Sequence, residues 1–141
     1  MFLPEPDLPA EVLLVEDDRA LSRALEAVLR RDGYPVVVAT NGRAAMDAIA
    51  RHRIVLVISD IFMPEGDGLE LLNFLRLLNP RPPIVAMSGA GSGRLGNMLE
   101  IAGALGAARI LPKPFAPSQL LALVRELIGP PAVPAEKFHR R

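Results

Sequence analysis

The sequence predicts a three-layer α/β domain, in which helices pack on both faces of a parallel β-sheet. Five short, nearly continuous apolar runs recur along the chain, at residues 12–15, 36–39, 54–58, 84–87 and 110–111. Most of their residues are β-branched and they do not alternate with polar residues, which is typical of strands buried on both faces. Helical patterns separate the runs. A repeated alternation of strand and helix indicates a parallel sheet.

The first two predicted helices have recognisable ends. Asp18 is well placed to cap the start of the first helix, and Gly33 to end it. Its apolar residues recur three and four apart, namely Leu21, Ala24, Leu25, Val28 and Leu29. The second helix is expected to begin at Asn41 and to turn four residues inward, namely Ala44, Ala45, Ala48 and Ile49.

Three further helices complete the pattern. The third is expected to be anchored by Leu69, Leu72 and Leu75 and to stop at Asn79 and Pro80. Residues 95–105 suit a fourth helix. Pro117 fits the first turn of a fifth helix, because proline lacks the N–H that this position leaves unpaired. The apolar face of that helix comprises Leu120, Leu121, Val124, Leu127 and Ile128.

The length and the chain ends indicate a single domain. A chain of 141 residues is long enough for one ordinary domain and too short for two. Residues 1–10 and 129–141 are rich in proline or charge and lack periodicity, so we expect a flexible extension and a Pro-rich tail. The domain is therefore predicted to span residues 11–128.

The composition excludes several classes of protein. Sixteen basic residues balance sixteen acidic ones, whereas a nucleic-acid or membrane-surface protein usually carries a net basic charge. The chain has no cysteine, which removes disulfides and Cys-based zinc sites. The start resembles no signal peptide, and no apolar run approaches the roughly 20 residues of a membrane span. These features predict a soluble, cytoplasmic domain.

Chemically active side chains follow four of the five apolar runs. They are Glu16, Asp17 and Asp18 after the first run, Asp60 after the third, Ser88 after the fourth and Lys113 after the fifth. The carboxyl ends of the strands gather at one edge of a parallel sheet, so these groups are expected to converge. Taken singly, each has an ordinary explanation: a helix cap, a turn aspartate, a local hydroxyl contact or an exposed lysine.

Taken together, the converging charges favour a site over these ordinary explanations. Two like charges about 4 Å apart repel by roughly 4 kcal/mol at an effective dielectric near 20, which stability alone does not favour. A divalent cation removes that conflict, and Mg²⁺ prefers carboxylate and phosphate oxygens. The ammonium group of Lys113 supplies a further positive charge able to meet an anion.

With these residues in view, the chain resembles the receiver domains of two-component response regulators. The matching segments occur in family order at residues 12–18, 59–64, 67–72, 83–89 and 105–115. The resemblance covers roughly residues 11–128. It implies the flavodoxin-like (βα)5 fold, a three-layer sandwich whose five-stranded parallel sheet has the order 2-1-3-4-5.

The resemblance also implies a mechanism. Asp60 would accept a phosphoryl group from a phosphohistidine of a sensor histidine kinase or histidine phosphotransfer protein. The implied ligands of Mg²⁺ are Asp17, Asp60 and the backbone carbonyl of Phe62, with Glu16 acting through a metal-bound water. Lys113 and Ser88 would each contact a phosphoryl oxygen. Such a domain catalyses its own phosphorylation and dephosphorylation but is not a conventional turnover enzyme.

In this family the signal leaves through Ser88 and the surface formed by the fourth helix, the fifth strand and the fifth helix, towards a protein target or a second copy. The resemblance further implies a cis peptide bond between Lys113 and Pro114. Two positions depart from the family pattern. Ile110 occupies the switch position that usually carries Tyr or Phe, so aromatic coupling to Ser88 is not expected. Phe62 places an apolar group beside Asp60, and we hypothesise that it slows hydrolysis of the acyl phosphate.

Rival functions remain to be distinguished. Residues 91–96 spell G-x-G-x-x-G, but residues 101–125 contain no acidic residue to bind a ribose, so a dinucleotide site is not supported. An FMN site is opposed by the acidic residues after the first strand. A Mg²⁺-dependent phosphatase lacks the second aspartate, because Phe62 occupies its position. A non-phosphorylated docking module of the same fold is the binding alternative. No effector domain is recognisable after residue 128, which fits either a stand-alone receiver or part of a larger regulator.

Overall fold

Five parallel strands form one sheet in the order β2-β1-β3-β4-β5. The computed structural model describes residues 8–60, 67–89, 103 and 106–132. The strands are β1 (Ala10–Val15), β2 (Val36–Ala39), β3 (Arg53–Asp60), β4 (Ile84–Ser88) and β5 (Arg109–Pro112). The predicted fold class and strand order are therefore confirmed.

The described helices are α1 (Arg19–Arg31), α2 (Gly42–Arg51), α3 (Asp67–Arg76) and a C-terminal helix (Pro117–Ile128). The predicted fourth helix falls almost wholly outside the described residues, as does the G-x-G-x-x-G segment. Asp18 and Asn41 accept hydrogen bonds from the N–H groups of Leu21 and Ala44, which caps α1 and α2 at their starts. Gly33 adopts a φ of 103°, and this left-handed conformation lets the chain turn directly after α1.

Two apolar clusters, one on each face of the sheet, form the core. Leu13, Val57 and Ala86 of the sheet pack with Ala45 of α2 and Leu75 of α3. On the other face, sheet residues such as Leu14, Ile58 and Met87 pack with α1 and the C-terminal helix. Successive residues of each central strand thus enter opposite clusters, which explains why the strands are apolar throughout.

The expected apolar faces of the first two helices need correction. Ala24 and Ala44 are exposed, although both were predicted to face inward, and Ser22 is buried on the inner face of α1. Leu25 and Leu29 define that face, and Ser22 lies three residues before Leu25, in line with both. Alanine has so little apolar surface that it does not decide which side of a helix packs.

Several elements also differ in length from their predicted bounds. β1 begins at Ala10 and β3 at Arg53, because the ladder joins Ala10 to Arg53 before the apolar runs begin. Leu71 and Leu75 are buried on α3, which ends at Arg76 rather than at Asn79. The side chains of Leu69 and Leu72 lie outside the described part of the structure.

Candidate functional site

The site lies at the carboxyl edge of the sheet, where β1 and β3 end next to each other and β5 ends on the far side of β4. Glu16 follows the last residue of β1, and its N–H donates to the carbonyl oxygen of Ala39 at 3.0 Å. Asp60 is the last residue of β3 and pairs in register with Met87 of β4. Lys113 follows the last residue of β5. The parallel register therefore brings together residues that are far apart in the sequence.

Lys113 bridges two of the carboxylates. Its Nζ donates to Oε1 of Glu16 at 2.7 Å and to Oδ2 of Asp60 at 3.1 Å. Both acceptors are buried, with Glu16 only 1% and Asp60 8% exposed. The peptide bond between Lys113 and Pro114 is cis.

Glu16 also connects the site to the start of α1. Its Oε2 accepts a hydrogen bond from the N–H of Asp18 at 3.1 Å, while Asp18 in turn caps α1. The two oxygens of Glu16 thus face different partners: the ammonium group of Lys113 and the backbone N–H of Asp18. This arrangement fixes the orientation of a carboxylate that is almost fully removed from solvent.

The burial of the site shifts two of its pKa values. Burial raises the pKa of Glu16 above its ordinary value, and the contacts with Lys113 and with the N–H of Asp18 only partly oppose this rise. Burial alone would lower the pKa of Lys113, but the hydrogen bonds to Glu16 and Asp60 outweigh it and raise that pKa instead. Lys113 is therefore a firmly held cation beside Asp60.

Glu16, Asp17 and Asp60 form a cluster suited to a hard cation. One carboxylate oxygen from each residue lies within 4.8 Å of the others. Asp17 is exposed, whereas the other two are buried, so the cluster opens to solvent on the side of Asp17. Oxygen ligands at this spacing fit a divalent cation such as Mg²⁺. Of the predicted ligands, Phe62 lies outside the described residues.

The remaining predicted residues have different outcomes. Ser88 ends β4 and pairs in register with Pro112, so its backbone lies at the same edge, but its side chain is outside the described part. Ile110 is half-buried in β5 beside Ala86 and packs against the cluster under α2 and α3. No aromatic ring occupies this position. His52, which was not among the predicted site residues, pairs with Glu11 at 2.9 Å at the amino edge of the sheet, away from the acidic cluster.

Ser59 is a buried polar residue to which sequence reasoning assigned no role. Its hydroxyl group donates to the backbone carbonyl oxygen of Asp60 at 3.1 Å, and the residue is fully buried. This bond satisfies the hydroxyl within the strand and braces the backbone at Asp60. The sequence feature that could have indicated this role is a hydroxyl residue near the end of an otherwise apolar strand.

Comparison with known proteins gives one consistent result. Residues 12–125 match the response regulator receiver domain family. The chain is 39% identical over 122 residues to the response regulator MprA of Mycolicibacterium vanbaalenii, covering 86% of this chain and 51% of that protein. It is 35% identical over 118 residues to the transcriptional regulatory protein CpxR of Escherichia coli, covering 84% and 49%. The chain thus spans about half the length of these curated relatives.

A solved structure supports the same comparison. The chemotaxis response regulator CheY4 of Vibrio cholerae superimposes with a TM-score of 0.74 and 28% sequence identity, covering 85% of this chain and 99% of that one. The helices in the described part of the chain do not meet the length and hydropathy that a membrane span requires.

Proposed function

This chain belongs to the response regulator receiver domain family, and we propose that it accepts a phosphoryl group onto Asp60 from a phosphohistidine. The donor would be a sensor histidine kinase or a histidine phosphotransfer protein. One observation carries the proposal: the ammonium group of Lys113 contacts Asp60 at the edge where three carboxylates cluster. A structural aspartate at a strand end needs neither the cation nor the other two carboxylates.

The reaction is an in-line displacement at phosphorus. A carboxylate oxygen of Asp60 forms the new O–P bond, the P–N bond to the donor histidine breaks, and the imidazole leaves with its electron pair and takes up a proton. A carboxylate is a weak nucleophile, so catalysis depends on positioning and on stabilising negative charge. Lys113 is held in place for that task because Glu16 fixes one of its N–H donors.

Mg²⁺ fits the cluster formed by Glu16, Asp17 and Asp60. When bound, it would neutralise charge that develops on the phosphoryl oxygens. Asp17 and Asp60 would bind it directly together with the carbonyl oxygen of Phe62, and Glu16 would hold a water ligand. Ser88 would donate its hydroxyl group to a phosphoryl oxygen.

The output would be a population shift at the surface around β5. Phosphorylation adds negative charge and strong acceptor oxygens beside Ser88. The partner surface would comprise the predicted fourth helix, β5 and the C-terminal helix, contacted by a protein target or a second copy in the cytoplasm. Nη2 of Arg109 on β5 donates to Oε1 of Glu126 on the C-terminal helix at 2.6 Å, so an exposed ion pair joins two elements of this surface.

The decisive experiment is phosphorylation by a small donor. Incubation with Mg²⁺ and acetyl phosphate should add one phosphoryl group, detected by intact mass. Asp60→Ala should abolish the adduct, and chelation of Mg²⁺ should slow its formation strongly. Asp47→Ala is the matched control, because Asp47 is an exposed aspartate of α2 that pairs with Arg51. An adduct that survives in Asp60→Ala, or no adduct with any donor, would contradict the proposal; the latter result would favour the docking module.

A further inference from the structure

A second concave site lies at the opposite, amino edge of the sheet. A groove of about 550 Å³ opens between the starts of β1 and β3, the turn after α1 and the end of the C-terminal helix. Its wall includes Leu8, Pro9, Tyr34, Arg53, Val55 and Ile128, together with residues 130–132, which follow the C-terminal helix. The groove is separate from the phosphorylation site, because β1 and β3 run from one edge to the other.

The wall of the groove is apolar and only partly covered. Leu8, Val55 and Ile128 are half-buried, and Tyr34 is buried, with its hydroxyl group donating to the carbonyl oxygen of Gly129 at 2.7 Å. Binding of a ligand that removes such partly exposed apolar surface from water is energetically favourable. Arg53, which is exposed, adds a cation to this apolar wall.

Both ends of the described chain line this groove, at residues 8–9 and 130–132, and the segments beyond them differ in composition. Residues 1–7, which lie outside the described part, begin with three apolar residues and contain two acidic residues, Glu5 and Asp7, but no basic side chain. Residues 133–141, also outside it, carry Lys137, Arg140 and Arg141 against one acidic residue. Beside Arg53, the acidic segment is attracted and the basic tail repelled.

The amino-terminal segment also has the required reach. Leu8 is part of the groove wall, and Phe2 precedes it by six residues, a span of at most about 20 Å when extended. The four residues between Leu3 and Leu8 include Pro4 and Pro6, which stiffen the connection and lower the entropy lost on docking.

We propose that this groove is the docking site of the chain's own amino-terminal segment, with Phe2 and Leu3 against its apolar wall and Glu5 and Asp7 facing Arg53. The docked segment covers the amino edge of β1 and β3. It joins the start of the chain to the end of the C-terminal helix, since Ile128 belongs to the same wall.

Cysteine cross-linking tests the proposal directly, because the chain has no native cysteine. The full chain carrying Phe2→Cys and Ile128→Cys is oxidised with oxidised glutathione, and the internal disulfide is followed by intact mass. The matched control pairs Ile128→Cys with Phe138→Cys. Position 138 is much closer to Ile128 along the chain. If the amino terminus does not dock, the control pair should therefore form its disulfide faster than the Phe2 pair. Docking should instead make the Phe2 pair react about tenfold faster, through its higher effective concentration.

Two further measurements complete the test. Arg53→Glu should slow the cross-link at Phe2 but should not slow the control pair, because it replaces repulsion of the basic tail by attraction. Phe2→Ser with Leu3→Ser should lower the unfolding temperature by roughly 2–4 °C, while Phe138→Ser should not. Equal cross-linking rates for the two pairs, or a faster reaction at position 138, would overturn the proposal, and so would an unfolding temperature unchanged by the Phe2 and Leu3 substitutions.

Discussion

The ammonium group of Lys113 is shared between a deeply buried carboxylate and the proposed phosphoryl acceptor. Its distance to Glu16 is 2.7 Å and its distance to Asp60 is 3.1 Å. Glu16 is 1% exposed, so bulk water has little access to its carboxylate. Removing one member of a buried ion pair costs more than the pair itself contributes, because the other charge is left buried without compensation.

This asymmetry predicts the outcome of a double-mutant cycle. Lys113→Met should lower the free energy of unfolding by about 3 kcal/mol, since it strands the charge of Glu16. Glu16→Gln in the Lys113→Met background should recover part of that loss, because the neutral amide keeps the size of the side chain and removes the charge. Urea unfolding of the four proteins without Mg²⁺ measures the coupling. Losses that simply add would show that Glu16 and Lys113 do not depend on each other.

At the scale of secondary-structure elements, two side-chain contacts join the turn after α1 to the C-terminal helix. Arg125 contacts the carboxylate of Asp32 at 2.9 Å, and the hydroxyl group of Tyr34 donates to the carbonyl oxygen of Gly129 at 2.7 Å. Asp32 and Tyr34 flank Gly33, whose positive φ forms the turn after α1. The turn therefore positions both contacts with the C-terminal helix.

The buried hydroxyl group of Tyr34 makes the stability of the fold decrease at alkaline pH. Burial raises the pKa of Tyr34 above its ordinary value of 10.0, with Arg125 opposing the rise and Asp32 adding to it. A pKa raised by folding means that the neutral phenol stabilises the fold below about pH 10 and that this contribution is lost as the pH rises through the higher, folded value. Tyr34 is the only tyrosine and there is no tryptophan, so phenolate absorbance reports on this residue alone.

The titration midpoint of phenolate absorbance should accordingly lie above 10 in the folded protein and near 10 in urea. Arg125→Gln should move the folded midpoint higher still, because it removes the one opposing charge. The stability difference between the parent and Tyr34→Phe should shrink between pH 8 and pH 11. A folded midpoint at or below that of the unfolded chain would refute this account.

How far the sequence predicts these elements depends on how each feature is encoded. Helix starts are encoded locally, because Asp18 and Asn41 cap the helices that directly follow them. The sequence predicted Asp18 as a cap and Asn41 as the start of the second helix, and the structure confirms both. Strand starts are not local, since Arg53 joins β3 through pairing with Ala10 rather than through its own side chain. The inward face of α1 was misjudged at Ser22 and Ala24, because short side chains take the direction that Leu25 and Leu29 impose.

At the scale of the whole molecule, the site depends on contacts that no local pattern contains. Convergence of Glu16, Asp60 and Lys113 was predictable, because parallel strands end at one edge. The order of the strands was available only through the family resemblance. The direct bond between Glu16 and Lys113 was not predicted, since it joins residues 97 positions apart and depends on how deeply each side chain is buried.

The charge balance of the site should couple cation binding to the stability of the entire fold. Three carboxylates face one ammonium group, so the folded protein concentrates negative charge that the unfolded chain spreads out. A cation that binds only the folded state stabilises it by about 2.7 kcal/mol when its free concentration is 100 times its dissociation constant. For a domain of this size, we expect saturating Mg²⁺ to raise the unfolding temperature by roughly 5–10 °C.

Thermal unfolding in Mg²⁺, compared with NaCl of matched ionic strength, measures this coupling. Asp17→Asn should remove most of the Mg²⁺-dependent gain, because it deletes the exposed ligand while leaving the buried contact between Glu16 and Lys113 in place. Asp47→Asn, an equal change of charge on the exposed face of α2, should keep the full gain. If both variants respond to Mg²⁺ as the parent does, the ion acts by general screening and not through the cluster of Glu16, Asp17 and Asp60.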